Sequence, residues 1–221
     1  GQVLFKNRGW LPVPFLAVPL LVPGTQSRNA WIAGILLVVL GELVRIAGVA
    51  AAGTVTRRRS RDVQRLVTYG AFAWCRNPLY VGNFLAWMGF TVISGVFWFL
   101  PIAIVVFAIE YTLIVRYEEG VLESIFGQEY LDYKARTPRW FGRPPANSTQ
   151  GQHDWQEAIW SERSTFLQYV ALVIAFTSLG VMDGSIAGII AAAVGAVMLL
   201  TAALGLCPLY VPLGLSTCKV K

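Results

Sequence analysis

Long apolar runs separated by polar stretches set the pattern of this chain. The first run, Val3 to Val22, carries Lys6 and Arg8 and is interrupted by Pro12, Pro14 and Pro19. It either spans a bilayer with its basic residues snorkelling to the interface, or enters and returns on one side. The second, Ala30 to Ala52, is broken only by Glu42 and Arg45 and has about the 20 residues that a bilayer core requires. A hairpin follows. Tyr80 to Trp98 crosses, a turn lies over Ser94 to Pro101, and Ile102 to Val115 returns, with Trp87, Phe97, Trp98 and Phe99 placed toward interfaces. The last two runs, Thr165 to Val181 and Ser185 to Leu206, are joined by a tight turn at Met182 to Gly184.

The polar stretches orient these runs. Arg57, Arg58, Arg59, Arg61 and Arg65 flank the second run, and such a cluster belongs on the cytoplasmic side. From Arg116 to Arg163 the chain is again polar. Leu122, Ile125, Phe126, Tyr130 and Tyr133 recur there at spacings of three and four, which predicts an amphipathic helix against the bundle. GRPPANSTQGQHD then reads as a flexible linker, in which Asn147-Ser148-Thr149 fits a glycosylation sequon by chance. In the final run Gly184, Gly188, Ala192 and Ala196 stand four apart; packing against the preceding span outweighs an oligomer seam as the reason. The pattern predicts an all-α polytopic integral membrane protein: five or six transmembrane helices, a cytoplasmic amphipathic helix, and both termini cytoplasmic. Its parts are a core over 1–141, a linker over 142–163 and a two-helix domain over 164–221.

Composition agrees. With 56% hydrophobic residues, 14% charged residues and a mean hydropathy of +0.58, the chain has too little polar surface to cover a soluble globule of 221 residues. The net charge of +6 lies beside hydrophobic spans with no nucleic-acid-binding motif, so topology explains it and no nucleic-acid partner is expected. Cys75, Cys207 and Cys218 lack the paired spacing of a zinc site and make no disulfide framework. They are assigned no role, and no metal is expected. No cleavable signal is evident, so the first run is expected to be retained.

Candidate chemistry lies where charge meets the spans, because a charged side chain at a helix centre costs roughly 2.5–3.5 kcal/mol on insertion scales. Glu42 and Arg45, three apart on one helical face, either pair with each other or help to close a cofactor pocket. Glu110 stands alone, and a hydrogen bond within the bundle is expected there. Folding the hairpin brings Arg76 and Asn77 to the same side as Glu118 and Glu119. Adjacent carboxylates point about 100° apart on a helix, so one faces the bundle and the other water. Pro78 suits a first helical turn, whose N–H groups are available to a polar ligand. The only histidine, His153, falls in the linker, so no histidine base is expected near these groups.

LVTYGAFAWCRNPLYVG, followed by EEGVLESIFGQEYLDY and preceded by GELVRIAG, resembles the membrane methyltransferases of the isoprenylcysteine carboxyl methyltransferase and phospholipid N-methyltransferase group. The resemblance covers roughly residues 34 to 140. It implies S-adenosylmethionine as methyl donor, with Gln64, Arg65, Leu66, Val67, Phe72, Asn77, Pro78, Leu79, Tyr80 and Glu118 lining the cofactor site. Arg76, Tyr80 and Glu119 are then the candidates for a catalytic part. A carboxylate beside a sulfonium and an ammonium makes electrostatic sense, since a buried cation needs a counter-charge. Asn77 replaces the family's usual His, Phe72 its usual Tyr, and Ile114 stands where the isoprenylcysteine enzymes tend to have Arg. The tail LGLCPLYVPLGLSTC and its two spans are similar to a two-helix membrane domain found alone in bacteria or attached to rhodanese-type proteins.

The resulting expectation is a methyltransferase of the bacterial inner membrane acting on a lipid-like or small apolar acceptor that enters from the bilayer. Methyl transfer from a sulfonium is an in-line displacement, helped mainly by contact and exclusion of water. Either Glu119 or a Tyr assists, or the acceptor arrives nucleophilic as a carboxylate, thiolate or free amine. Membrane sterol and steroid reductases share a similar helix entry and bind NADPH, but they usually carry an acid where this chain has Asn83 and lack the paired glutamates. A non-catalytic scaffold is the third reading.

Overall fold

The computed structural model describes residues 12–22, 24–53, 65–142 and 151–181, and among them every regular element is a helix. Outside the described residues lie Gln64, most of the arginine cluster, the sequon, the final span with its small-residue stripe, and Cys207 and Cys218.

Helix α1 is Pro12–Leu21, helical through Pro19 and too short to cross a bilayer by itself. Helix α2, Arg28–Ala52, begins where the Ser27 hydroxyl accepts the Ala30 N–H and ends at Gly53, with φ of 73°. Helix α3 is one turn, Ala71–Trp74. Helix α4, Pro78–Ser94, opens on its proline and stops at Gly95 in the left-handed conformation. Helix α5, Phe99–Phe126, is the return limb of the hairpin. It does not stop at the polar residues after Val115 but runs on through Glu118 and Glu119. Gly127, with φ of 51°, breaks it from helix α6, Gln128–Arg136, so the expected amphipathic helix is split between two elements. Helix α7 is Trp155–Val181, and residues 155–163, expected as linker, form its first turns.

The α2–α4 pair is the tightest contact, and glycine is the reason. The two helices are antiparallel, with Gly34 facing Gly89 and Gly41 facing Gly82. A Cβ on Gly41 would lie 2.5 Å from the Gly82 carbonyl oxygen, and one on Gly89 would lie 2.7 Å from that of Gly34. Only backbones without side chains approach so closely. On the other side of α4, Trp87, Phe99, Phe107 and Tyr111 form an aromatic core with Tyr80 and Phe84 packed against it. Phe90 and Ile93 of α4 meet Leu172 and Phe176 of α7 in a second cluster.

Outward faces stay apolar. Ile32, Leu36, Val39 and Leu43 of α2 and Ile102, Val105 and Ile109 of α5 are exposed. Among the described residues α2 and α5 are the two helices long and apolar enough to cross a membrane.

Candidate functional site

The first turn of α4 and the extension of α5 meet at the polar end of the hairpin. Because α5 continues past its apolar stretch, Glu119 points into the protein, 4% exposed, while Glu118 beside it is half-buried. From α4, the Tyr80 hydroxyl donates to Glu118 Oε1 at 2.9 Å. Its ring lies 4.8 Å from that of Tyr111, which fixes its direction.

Glu119 is held by two guanidinium groups. Arg76 donates Nε and Nη2 to its Oε1 at 3.1 and 2.9 Å, and Arg139 donates to Oε1 at 3.1 Å and to Oε2 at 2.6 Å. Arg76 Nη1 also reaches the carbonyl oxygens of Lys134, at 3.1 Å, and Thr137, while the Arg76 N–H donates to the Pro138 carbonyl at 2.9 Å. The Asn77 side chain does not cap α4; its amide donates to the Arg139 carbonyl at 3.1 Å. Tyr133 of α6 donates its hydroxyl to the Phe72 carbonyl at 2.7 Å. The Arg76–Asn77 corner is thereby stitched to the segment that follows α6.

Electrostatics follow from these contacts. The hydrogen bonds from Arg139 to Glu119 hold that guanidinium more firmly charged than usual, against the opposing effect of burial. Burial pushes the Tyr130 and Tyr133 phenols up, and the Cys75 thiol as well.

The site residues expected from the sequence are only partly gathered here. Arg76, Asn77, Tyr80, Glu118 and Glu119 come together. Leu79 packs with Val49 and Ala50 of α2 and Ala158 of α7, and Pro78 is buried. Arg65 donates to the Tyr69 hydroxyl at 2.7 Å, and that hydroxyl reaches the Ala51 carbonyl at 2.8 Å. Leu66, Val67 and Phe72 are half-buried along the stretch between. Arg139 was not foreseen, because it lies beyond the last tyrosine of the second motif and no periodicity ties it to Glu119.

The expectation that no histidine lies near the motifs needs correction. His153 sits on the Tyr69–Gly70 turn, its ring centroid 5.4 Å from that of Tyr69, and a Cβ on Gly70 would lie 2.5 Å from its Nε2. Chain distance concealed this, since Asp154 donates its N–H to the Ala50 carbonyl at 3.0 Å and draws the segment back onto the end of α2.

A second ionic group lies between the helices. Arg45 donates Nε to Glu42 at 3.2 Å, Nη2 to Glu162 of α7 at 2.9 Å, and Nη1 to Asn83 of α4. The expected pairing of Glu42 with Arg45 is present, with Glu162 as an added partner. Glu110 differs from expectation: its Oε2 is buried and makes no hydrogen bond among the described residues. No group of three or more His, Cys, Asp or Glu among the described residues could hold a metal ion.

Comparison with known proteins finds both segments that the sequence resembles. Residues 29–129 match the phospholipid methyltransferase family, and residues 167–221 match the transmembrane domain of inner membrane proteins described as YgaP-like. The mouse (Mus musculus) protein-S-isoprenylcysteine O-methyltransferase is 40% identical over 113 residues, covering 48% of this chain and 38% of that protein. The cobalt-zinc-cadmium resistance protein CzcN of Cupriavidus metallidurans is 29% identical over 171 residues, 77% of this chain and 76% of that one. The nickel-cobalt-cadmium resistance protein NccN of Alcaligenes xylosoxydans xylosoxydans is 31% identical over 131 residues, 59% and 61% of the two chains. The chain spans 38–39% of the length of the mammalian isoprenylcysteine methyltransferases it matches. No solved structure matches it. The family match takes in Arg45, Arg76, Glu118 and Glu119, and ends before Arg139 and Glu162.

Proposed function

We propose that the chain transfers a methyl group from S-adenosylmethionine to a lipid-like or small apolar acceptor at the cytoplasmic face of a bacterial inner membrane, from a bundle of five or six spans. One observation carries this reading: the Tyr80–Glu118 hydrogen bond of 2.9 Å joins the two family motifs at the polar end of an otherwise apolar hairpin.

The donor set fits the cofactor. A molecule carrying a sulfonium and an ammonium calls for a carboxylate, and Glu118 supplies one that is half-buried and oriented by a phenol. Asn77, Pro78 and Tyr80 form the helix entry beside it; the Tyr80 and Val81 N–H groups bond to the Asn77 carbonyl at 3.1 Å, so the Leu79 N–H is the donor that this turn can offer a ligand. The bound cofactor would supply an electrophilic methyl group. The chain's own part is to orient and to keep water out.

Arg76 and Glu119 position in this reading and do not react. Both oxygens of Glu119 accept from guanidinium groups, which leaves it poorly suited as a base. A Tyr then assists, or the acceptor arrives nucleophilic. The names of the matched family and of the isoprenylcysteine relatives both describe a lipid-like acceptor, and the exposed apolar faces of α2 and α5 give such a molecule a way in from the bilayer.

The test is calorimetric titration of the detergent-purified chain with S-adenosylhomocysteine and, separately, with NADPH, repeated on Glu118→Ala. We expect the first ligand to bind and Glu118→Ala to weaken it by roughly 100-fold, the order of about 3 kcal/mol for a hydrogen-bonded charge. Binding of NADPH alone moves the chain to the reductases, and binding of neither makes it a scaffold.

A further inference from the structure

Helix α7 begins beyond the residues that match the methyltransferase family, yet one of its faces is built into the same bundle. Asp154, just before α7, donates to the Ala50 carbonyl; Ala158, one turn on, is fully buried against Val49 and Ala50 with Leu79 alongside; Glu162, another turn on, meets Arg45. The spacing of four puts all three on one stripe. That stripe continues through Tyr169, Leu172 and Phe176 onto Phe90 of α4.

Glu162 is the polar centre of the stripe. It is 0% exposed, and its partner Arg45 is 13% exposed at the side chain. A buried guanidinium with several donors holds its geometry only if its acceptors are fixed. Here the acceptors come from three helices: Glu42 on α2 itself, Asn83 on α4 and Glu162 on α7. Asn83 lies one helical turn beyond Tyr80, and Leu79, in the first turn of α4, packs against the cluster that Ala158 forms with Val49 and Ala50. The turn that offers Asn77, Pro78 and Tyr80 to the cofactor is therefore braced at two points that depend on α7.

We propose that Glu162 is a positioning residue of the methyl-transfer site: through Arg45 and Asn83 it fixes the cofactor-facing first turns of α4, so the segment leading into the C-terminal domain is a working part of the core. This rests on the methyltransferase reading above. It predicts that a core ending near residue 141 lacks a wall of its own site.

S-adenosylhomocysteine is titrated into the full-length chain carrying Glu162→Ala, Glu162→Gln or Trp160→Ala, beside the wild type. Trp160 lies on the same helix and is exposed, so its loss tests α7 without touching the stripe. Glu162→Ala is expected to weaken binding roughly 10- to 100-fold, the scale of a misplaced site. Glu162→Gln is expected to bind close to wild type, because its amide oxygen still accepts from Arg45, and Trp160→Ala is expected to bind unchanged. Wild-type affinity in Glu162→Ala overturns the proposal, as does an equal loss in Trp160→Ala. Amide hydrogen exchange of residues 79–83 gives a reading that needs no ligand. Faster exchange in Glu162→Ala and not in Glu162→Gln supports the brace, and unchanged exchange overturns it. If the wild type binds no S-adenosylhomocysteine, the functional reading fails, and the exchange data still decide the brace.

Discussion

The two ionic centres of this protein are built on opposite counts. At the polar end of the hairpin one carboxylate, Glu119, receives two guanidinium groups, those of Arg76 and Arg139. Between α2, α4 and α7 one guanidinium, that of Arg45, meets two carboxylates, Glu42 and Glu162. Charge count and burial therefore run against each other. The first centre has an excess of positive charge at the polar end of the hairpin, where Glu118 stands beside Glu119 on α5. The second has an excess of acid inside an apolar bundle, where unbalanced charge is dearest. What distinguishes them is the way out: a carboxylate can take up a proton, whereas a guanidinium stays charged at any working pH.

The largest effect is expected at Glu119. In Glu119→Gln, two guanidinium groups lose the only full negative charge they are seen to share, and neither can neutralise itself. The Arg76 side chain is 8% exposed and that of Arg139 28%, so water screens the resulting repulsion in part. We expect a loss of about 3–5 kcal/mol, the scale found when one partner of a buried pair is removed. Denaturant unfolding in mild detergent measures it. A loss under about 1 kcal/mol would show that the carbonyl oxygens of Lys134 and Thr137 suffice for Arg76.

Arg45→Met comes next. It leaves Glu42 and Glu162 facing each other without a cation, but these two can share or take up protons. The expected cost is about 2–3 kcal/mol, smaller than at Glu119 although the site is more deeply buried. The same unfolding experiment checks the order of the two variants. If Arg45→Met proves the more damaging, depth governs these centres and the difference in ionisation does not.

Much of this architecture was legible in the sequence, and the parts that were not share a cause. Apolar runs and proline placed α2, α4 and α5, because span length and helix entry are local properties. The meeting of Arg76 and Asn77 with Glu118 and Glu119 followed from folding one hairpin. What escaped was the set of contacts made by chain that lies outside the hairpin and its two motifs. Arg139 reaches Glu119 from 20 residues on, and Glu162 reaches Arg45 from 117 residues on. His153 read as linker because its neighbours are proline, glycine and polar residues, while its position depends on the Asp154–Ala50 hydrogen bond. Gly34, Gly41, Gly82 and Gly89 escaped as well, although each pair stands seven apart on one helix face; which face meets which follows only from the paired helices.

The smallest expected effect is the sharpest test of the counting argument. Glu42→Gln is the same chemical change as Glu119→Gln, at a residue equally buried: each is 4% exposed. At Glu42, however, the substitution removes the surplus charge and keeps the needed one. Arg45 remains balanced by Glu162 at 2.9 Å, and the new amide oxygen can still accept from Arg45 Nε, whose present bond of 3.2 Å is the longer of the two. Stability should stay within about 1 kcal/mol of wild type, the net scale of one weakened hydrogen bond. If Glu42→Gln instead destabilises the chain as far as Glu119→Gln does, both carboxylates of the inner centre are needed in full, and the proton assumed to relieve their surplus charge is not there. A neutral outcome leaves one carboxylate as the working partner of Arg45, and Glu162, which ties α7 to the bundle, is the one whose loss should then be felt.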